Sequence, residues 1–381
     1  MRTEEERRRP RLQRFRWLRF HPKGAGRGPF VNPLNHTGKT LPTFGLSMGV
    51  SHREPIHRAV EVVKEADRRG IDCLWLLDSQ LIMKDVHVVL ALCAAETERI
   101  QLATGVTNPL TRHLSVTAGA ACALQEVSGG RFILGLGAGD SAIYPLGLRP
   151  TSIRRCEESL RTLRALFQGK EISEGSGAFR LKTARSVPLF FAASQPKMLR
   201  LAGRAADGAD ILGIAAPEIV NRQIEHVRSG AAEAGRKPTN VFIDLWLTLS
   251  VDEDGDAALD GARSWASTKA RWLATWESLP PALHPYQEDI ERAAKGYDFA
   301  EHLSVGASHK QTVSDDFTAA VAIAGTPEHV ASRLREFVKL DVDRITLTLL
   351  SGGRMEHLRL LCEEVLPSVN NSGADTPASP K

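Results

Sequence analysis

A chain of 381 residues with 42% hydrophobic and 25% charged residues and a formal charge of +4 has the composition of an ordinary globular protein. It is long enough for one large core or two smaller ones. No run approaches the roughly 18 apolar residues of a membrane span. Ten basic residues against three acidic ones crowd into residues 1–27, so the remainder is slightly acidic and implies no nucleic-acid surface. The expectation is a cytoplasmic protein with no membrane partner.

Residues 1–40 read as a disordered basic extension. The stretch 4-EEERRR-9 and the lack of an apolar core exclude a secretory signal there. From 41 to 368 short apolar runs alternate with amphipathic ones. The strand-like runs are 43-TFGLSMGV-50, 72-DCLWLLD-78, 100-IQLATGV-106, 131-RFILGLGAG-139, 187-VPLFFAAS-194, 209-ADILGIAA-216, 240-NVFIDLWLTLSV-251 and 343-DRITLTLL-350. Helical patterns lie between them, such as 55-PIHRAVEVVKEADRRG-70, which has Pro at its start and Gly at its end. The tail 369–381 is polar and rich in Pro and Ser, and is expected to be disordered. Five scattered cysteines with no CxxC spacing read as buried free thiols, not as a metal or disulfide framework.

Eight strands interleaved with helices predict an α/β fold, a (β/α)8 TIM barrel. A doubly wound sheet would lead with GxGxxG after its first strand; 135-GLGAGD-140 follows the fourth and does not complete that motif. Residues 252–342 are too long for one connection and predict a helical insertion between strands seven and eight. Within it Trp265, Trp272 and Trp276 share one helix face, expected to be a core or oligomer contact.

Functional groups of such a barrel belong at the carboxyl ends of its strands. Four ends carry candidates: Asp78 and Ser79 after strand two, Gly105 to Asn108 after strand three, Gly139 and Asp140 after strand four, and Ala193, Ser194 and Gln195 after strand five. Small residues there let a flat ligand or phosphate approach the backbone. Ser194-Gln195-Pro196 opens a helix whose free N–H groups suit a phosphate, although the same residues are ordinary helix-start grammar. Asp78 and Asp140 suit acid–base work or the capping of a turn. Arg112 suits orientation of an anionic or carbonyl group, or a structural ion pair. Hydrolase, zinc-protease, Walker and EF-hand motifs are absent.

The motifs 104-TGVTNPLTRH-113, 129-GGRFILGLGAGDSA-142 and 188-PLFFAASQPKMLRLAGRAADG-208 resemble the bacterial luciferase-like superfamily of flavin- and deazaflavin-dependent oxidoreductases. The likeness is greatest to its methylenetetrahydromethanopterin reductase-like branch and spans about residues 43–368. It implies a homodimer or higher oligomer, coenzyme F-420 or FMN as cofactor, and a small-molecule substrate. It also implies a bulge with a cis peptide at Gly105–Val106 backing the ring, and Asn108 at the ring's polar edge. Gly139 and Asp140 match a glycine and a catalytic acid, and Ala193, Ser194 and Gln195 match the loop holding the cofactor's phosphate. Many relatives have Asp-His where this chain has Asp78-Ser79. Asp140, or an insertion histidine such as His302 or His309, would then have to compensate. The activity implied is hydride transfer between the ring and a small organic substrate, with Asp140 as proton donor and Asp78 and Ser79 lining the pocket. The alternatives are a luciferase-type monooxygenase using O2 and FMNH2 from a separate flavin reductase, and a non-catalytic flavin-binding barrel.

Overall fold

The structure, a computed structural model, describes residues 41–370 except Val305 and Ser351. The expected basic extension lies outside the described residues, as does the expected tail beyond Asn370. Residues 369 and 370, assigned to the tail from the sequence, belong to a helix in which Val369 is buried.

Eight parallel strands close into the expected barrel. They are β1 (Thr43–Met48), β2 (Cys73–Leu76), β3 (Gln101–Thr104), β4 (Phe132–Leu136), β7 (Leu189–Ala193), β8 (Gly208–Leu212), β9 (Phe242–Leu247) and β12 (Arg344–Thr348). The circle closes where β12 pairs with β1, Thr43 opposite Arg344. Two small additions were not anticipated as separate elements: the hairpin β5 (Ile172–Glu174) and β6 (Gly177–Phe179), and the pair β10 (Leu249–Val251) and β11 (Ile323–Gly325). The apolar run 240–251 therefore makes two strands. At Thr248 the chain leaves the barrel, its carbonyl taking the N–H of Ile323 at 2.9 Å, and continues beside β11.

The staves read as nearly unbroken apolar runs because both of their faces are covered. Alternate residues point inward and outward. Trp75, Ala103, Ile133, Phe190, Phe242 and Trp246 fill the interior, while Leu74, Leu102, Leu134, Leu189, Ile243 and Leu245 join the larger core under the helices. That outer ring includes α1 (Ile56–Arg68), α2 (Val86–Glu96), α3 (Leu114–Val127), α4 (Ile153–Phe167), α5 (Pro196–Ala205), α6 (Pro217–Glu233) and α10 (Pro327–Phe337). In α1 the buried Ala59, Val60, Val62, Val63 and Ala66 recur at helical spacing.

Between β10 and β11 the chain builds α7 (Gly255–Leu273), α8 (Gln287–Gly296) and α9 (Asp315–Val321). These share a small core of their own, including Ala270, Leu273, Ile290 and Phe317, closed against Ile214 and Ile219 at the top of the barrel. The described residues end in α11 (Arg354–Leu360) and, after one π-helical turn, α12 (Leu366–Asn370).

The lower barrel interior is sealed by a buried ion pair. Arg344 donates through Nε to Asp244 at 2.7 Å, and Trp75 Nε1 and Thr346 Oγ1 donate to the same carboxylate at 3.0 and 2.7 Å. Asp210, on the neighbouring strand, is fully buried with neither oxygen bonded. Burial and the adjacent Asp244 charge push its pKa well above the usual carboxylate range, which favours its neutral form.

Candidate active site

At the carboxyl ends of the strands a cavity of about 550 Å³ opens under α7. One wall is the end of β3. Ala103 faces Ile133 in register, and the next bridge joins Thr107 to Leu136, so β3 carries one residue more than β4 between them. That extra residue is a bulge. Thr104 pins it, its hydroxyl donating to the Gly135 carbonyl at 2.9 Å and accepting from the Gly135 N–H at 3.0 Å. The Gly105–Val106 peptide within the bulge is cis, as the resemblance implies. A Cβ on Gly105 would lie 2.8 Å from the Trp246 ring and 2.9 Å from Trp75 Cβ, so only glycine lets the strand pass these two indoles. Asn108 follows. Its Oδ1 accepts from the N–H groups of Leu110 and Thr111 at 2.9 and 3.0 Å, and its buried Nδ2 has no partner.

Asp140 reaches the cavity from the end of β4. The preceding Gly139 has φ +92°, a left-handed conformation that disfavours a side chain. Asp140 Oδ2 accepts from Arg271 Nη2 of α7 at 2.5 Å, and Oδ1 has no partner. The carboxyl keeps 43% of its side-chain surface open, yet the protein packed around it raises its pKa, the Arg271 charge opposing the rise. Tyr144, Tyr297 and Phe299 place their rings 5.8, 5.0 and 5.1 Å from the Arg271 guanidinium, so the cation is held by π-faces as well as by charge.

Opposite lies the turn after β7. Ala193, Ser194 and Gln195 line the cavity and lead into α5. Gln195 occupies the N-cap position without a side-chain cap bond and Pro196 follows, so the helix start stays open to an acceptor. The Ser194 carbonyl is tied down by Gln223 Nε2 at 3.0 Å. A smaller cavity of about 310 Å³ continues from Ser194 and Gln195 toward Arg222 and His226.

Of the residues singled out in the sequence, the cavity is lined by Asp78, Ser79, Gly105, Val106, Asn108, Gly139, Asp140, Ala193, Ser194 and Gln195. Arg112 is the exception. It turns from the cavity and holds Asp78 at 2.6 and 3.4 Å while reaching Asp85 at 3.0 Å, which is the structural ion pair and not an orienting contact. The Asp78 carboxylate is buried behind that arginine. Ser79 Oγ lies 2.6 Å from Ser141 Oγ and Gln80 donates to the Ala142 carbonyl at 2.7 Å, tying the ends of β2 and β4 together.

The expected core contact holds for Trp272 and Trp276, which pack against the core of the insertion, but the stripe also borders the cavities. Trp265 and Trp272 line the main cavity and Trp276 the smaller one, with Trp272 and Trp276 packed edge to face at 5.1 Å. Their spacing revealed a shared face but not what it faces. Arg271 was missed altogether. Its signal was its place in the same stripe as Trp265, Thr268 and Trp272, at the buried end of an otherwise amphipathic helix. His309 is buried beneath the Tyr297 ring, while His302 lines the cavity. No group of three or more potential metal ligands occurs among the described residues.

A parallel eight-stranded barrel with a bulged third stave and an open helix start at the fifth stave places this cavity where (β/α)8 enzymes carry their active sites. A family model described as luciferase-like monooxygenase matches residues 36–344, and the chain belongs to this family. It is 29% identical over 337 residues to the 5,10-methylenetetrahydromethanopterin reductase of Methanolobus tindarius, covering 85% of this chain and 99% of that one. Identity to the F420-dependent glucose-6-phosphate dehydrogenase of Nakamurella multipartita is 27%, over 72% of this chain and 78% of the relative. Among solved structures, the coenzyme F420-dependent tetrahydromethanopterin reductase of Methanopyrus kandleri superposes with a TM-score of 0.71 at 25% identity, over 86% of this chain and 99% of that one.

Proposed function

We propose that the protein is a coenzyme F-420-dependent oxidoreductase that exchanges a hydride with a small organic substrate. One observation carries the reading: a single cavity joins the unpartnered Asn108 Nδ2, on the bulge, to the uncapped start of α5. A polar flat ring with a phosphate tail needs a buried donor and an anion seat in one cavity, and this cavity offers candidates for both. When bound, the deazaflavin supplies the hydride.

The chain's own residues divide the remaining work. The bulge at Gly105 and Val106 backs the ring, and Asn108 donates to its polar edge. Ala193, Ser194 and Gln195 seat the phosphate. Asp140 is the proton donor: a carboxyl whose pKa is raised by burial holds a proton nearer neutrality than an ordinary acid, and Arg271 fixes its direction. Asp78 and Ser79 form the rim, with Asp78 held in place by Arg112. Relatives of the same family include F420-dependent enzymes, which supports this cofactor over FMN.

Titration of the purified protein with F-420 and with FMN tests the reading. Tighter binding of F-420, followed by anaerobic oxidation of reduced F-420 with a panel of carbonyl and imine compounds, is the expected result. Oxygen uptake coupled to product with FMNH2, and none with reduced F-420, would replace it with the monooxygenase reading.

The working unit is a homodimer. Val88 and Leu92 of α2 and Val116 and Val127 of α3 are exposed on neighbouring helices, and Ala95, Gly119 and Ala123 between them add no charge. A second copy presenting the same face matches this uncharged surface, and sedimentation velocity of the same preparation should show twice the chain mass. The cysteines, all free, fit the reducing cytoplasm.

A further inference from the structure

The insertion holds a chain of hydrogen bonds ending in the cavity. Thr268, on α7, lies 3.1 Å from the Ser264 carbonyl one turn earlier and 2.9 Å from Tyr297 Oη. Tyr297 Oη makes a short contact with His302 Nδ1. Both Thr268 and His302 line the main cavity.

Proton counting gives this chain a direction. A carbonyl can only accept, so the Thr268 hydroxyl donates to Ser264. With that proton committed, the Thr268–Tyr297 contact needs the phenol to donate to Thr268. The Tyr297–His302 contact then needs Nδ1–H to donate to the phenol oxygen. Each link is satisfied only with the imidazole proton on Nδ1, which leaves Nε2 as a bare acceptor. Among the described residues Nε2 has no partner. Burial, and next the Arg271 charge, lower the His302 pKa to about 3, so the ring is neutral at physiological pH.

Two ion pairs flank this end of the cavity, Asp140 with Arg271 and Asp78 with Arg112, so the neighbouring charged groups already have partners. His309, stacked 4.3 Å from Tyr297, holds the phenol from behind and does not line the cavity.

We propose that His302 holds a hydroxyl or N–H group of the substrate, accepting its hydrogen bond through Nε2. Thr268 and Tyr297 are positioning residues that fix the tautomer. No proton changes hands in this contact. The proposal rests on the cavity being the oxidoreductase site, and it names the polar group its substrate presents.

The test reads the imidazole directly. Nitrogen-15 spectra of the full-length protein, with His302 assigned by the signal lost in His302→Gln, should show a neutral ring protonated at Nδ1 from roughly pH 5 to 9. Thr268→Val removes the link to Ser264 and should move population toward the Nε2–H tautomer. Cyclohexanol, which donates, should shift the Nε2 resonance, whereas methoxycyclohexane, which cannot, should leave it in place. With an active substrate, His302→Leu should raise KM about tenfold, the loss expected of one hydrogen bond, without changing F-420 affinity. A protein that binds no F-420 would defeat the functional reading and leave the tautomer result standing. An Nε2–H tautomer, a charged ring, or equal shifts with both probes would overturn the role of His302. If His302→Leu does not fold, the Thr268→Val spectrum decides.

Discussion

The floor of the barrel and its mouth are built from the same residue types and use them oppositely. At the floor Asp244 is saturated, by Arg344, Trp75 and Thr346. At the mouth Asp140 meets one arginine and keeps an oxygen spare, Asn108 keeps its amide nitrogen spare, and His302 keeps Nε2. Saturated polar groups hold a structure together, and spare capacity facing a cavity waits for a ligand. Asp210 departs from this pattern, and there burial and the Asp244 charge favour the uncharged form.

Three substitutions sharpen or break that contrast. Arg344→Met strands the Asp244 carboxylate in the interior and should cost about 3–5 kcal/mol of stability, read by urea unfolding. An unchanged midpoint would show that the floor pair is not structural. Gln195→Glu puts a carboxylate at the α5 start, where it suits the helix but repels a phosphate. Affinity for F-420 and FMN should fall about tenfold or more while riboflavin, lacking the phosphate, is unaffected and melting barely moves. Equal losses for FMN and riboflavin would place the phosphate elsewhere.

The smallest effect belongs to Lys269, whose half-buried side chain on α7 donates to the Gly213 carbonyl at 2.6 Å. Burial lowers its pKa from an ordinary 10.5 to about 8. Below pH 8 both folded and unfolded chains hold the proton, so the native state bears the full burial penalty. Between 8 and 10.5 the unfolded chain holds more protons than the folded one, and stability rises with pH. Lys269→Met should therefore stabilise the protein at pH 7 by about 1 kcal/mol after the lost hydrogen bond, the gain shrinking as pH climbs through that window. A gain that grows with pH would contradict the assignment.

The staves were legible because each is covered on both faces and so reads as an apolar run. The polar strand ends were legible because a barrel places function at one rim. The insertion was different. Its length marked it, yet Arg271 meets Asp140 across 131 residues of sequence, and no local pattern announces such a pairing. The tryptophan stripe showed a shared face, and only the closing of α7 over the mouth gave that face a cavity. Arg112 illustrates the reverse. Its position suggested a ligand, but the buried Asp78 beside it claimed the charge.

The plugged floor also sets an order of events. With Trp75, Phe190, Phe242 and Trp246 packed across the lumen, the mouth is the way in and out past β3. On the proposed reading two guests share one doorway, and the ring seated on the bulge would lie beneath the substrate. That arrangement would have the cofactor enter first and leave last, so steady-state kinetics should show compulsory-order binding, with product released before the ring is exchanged.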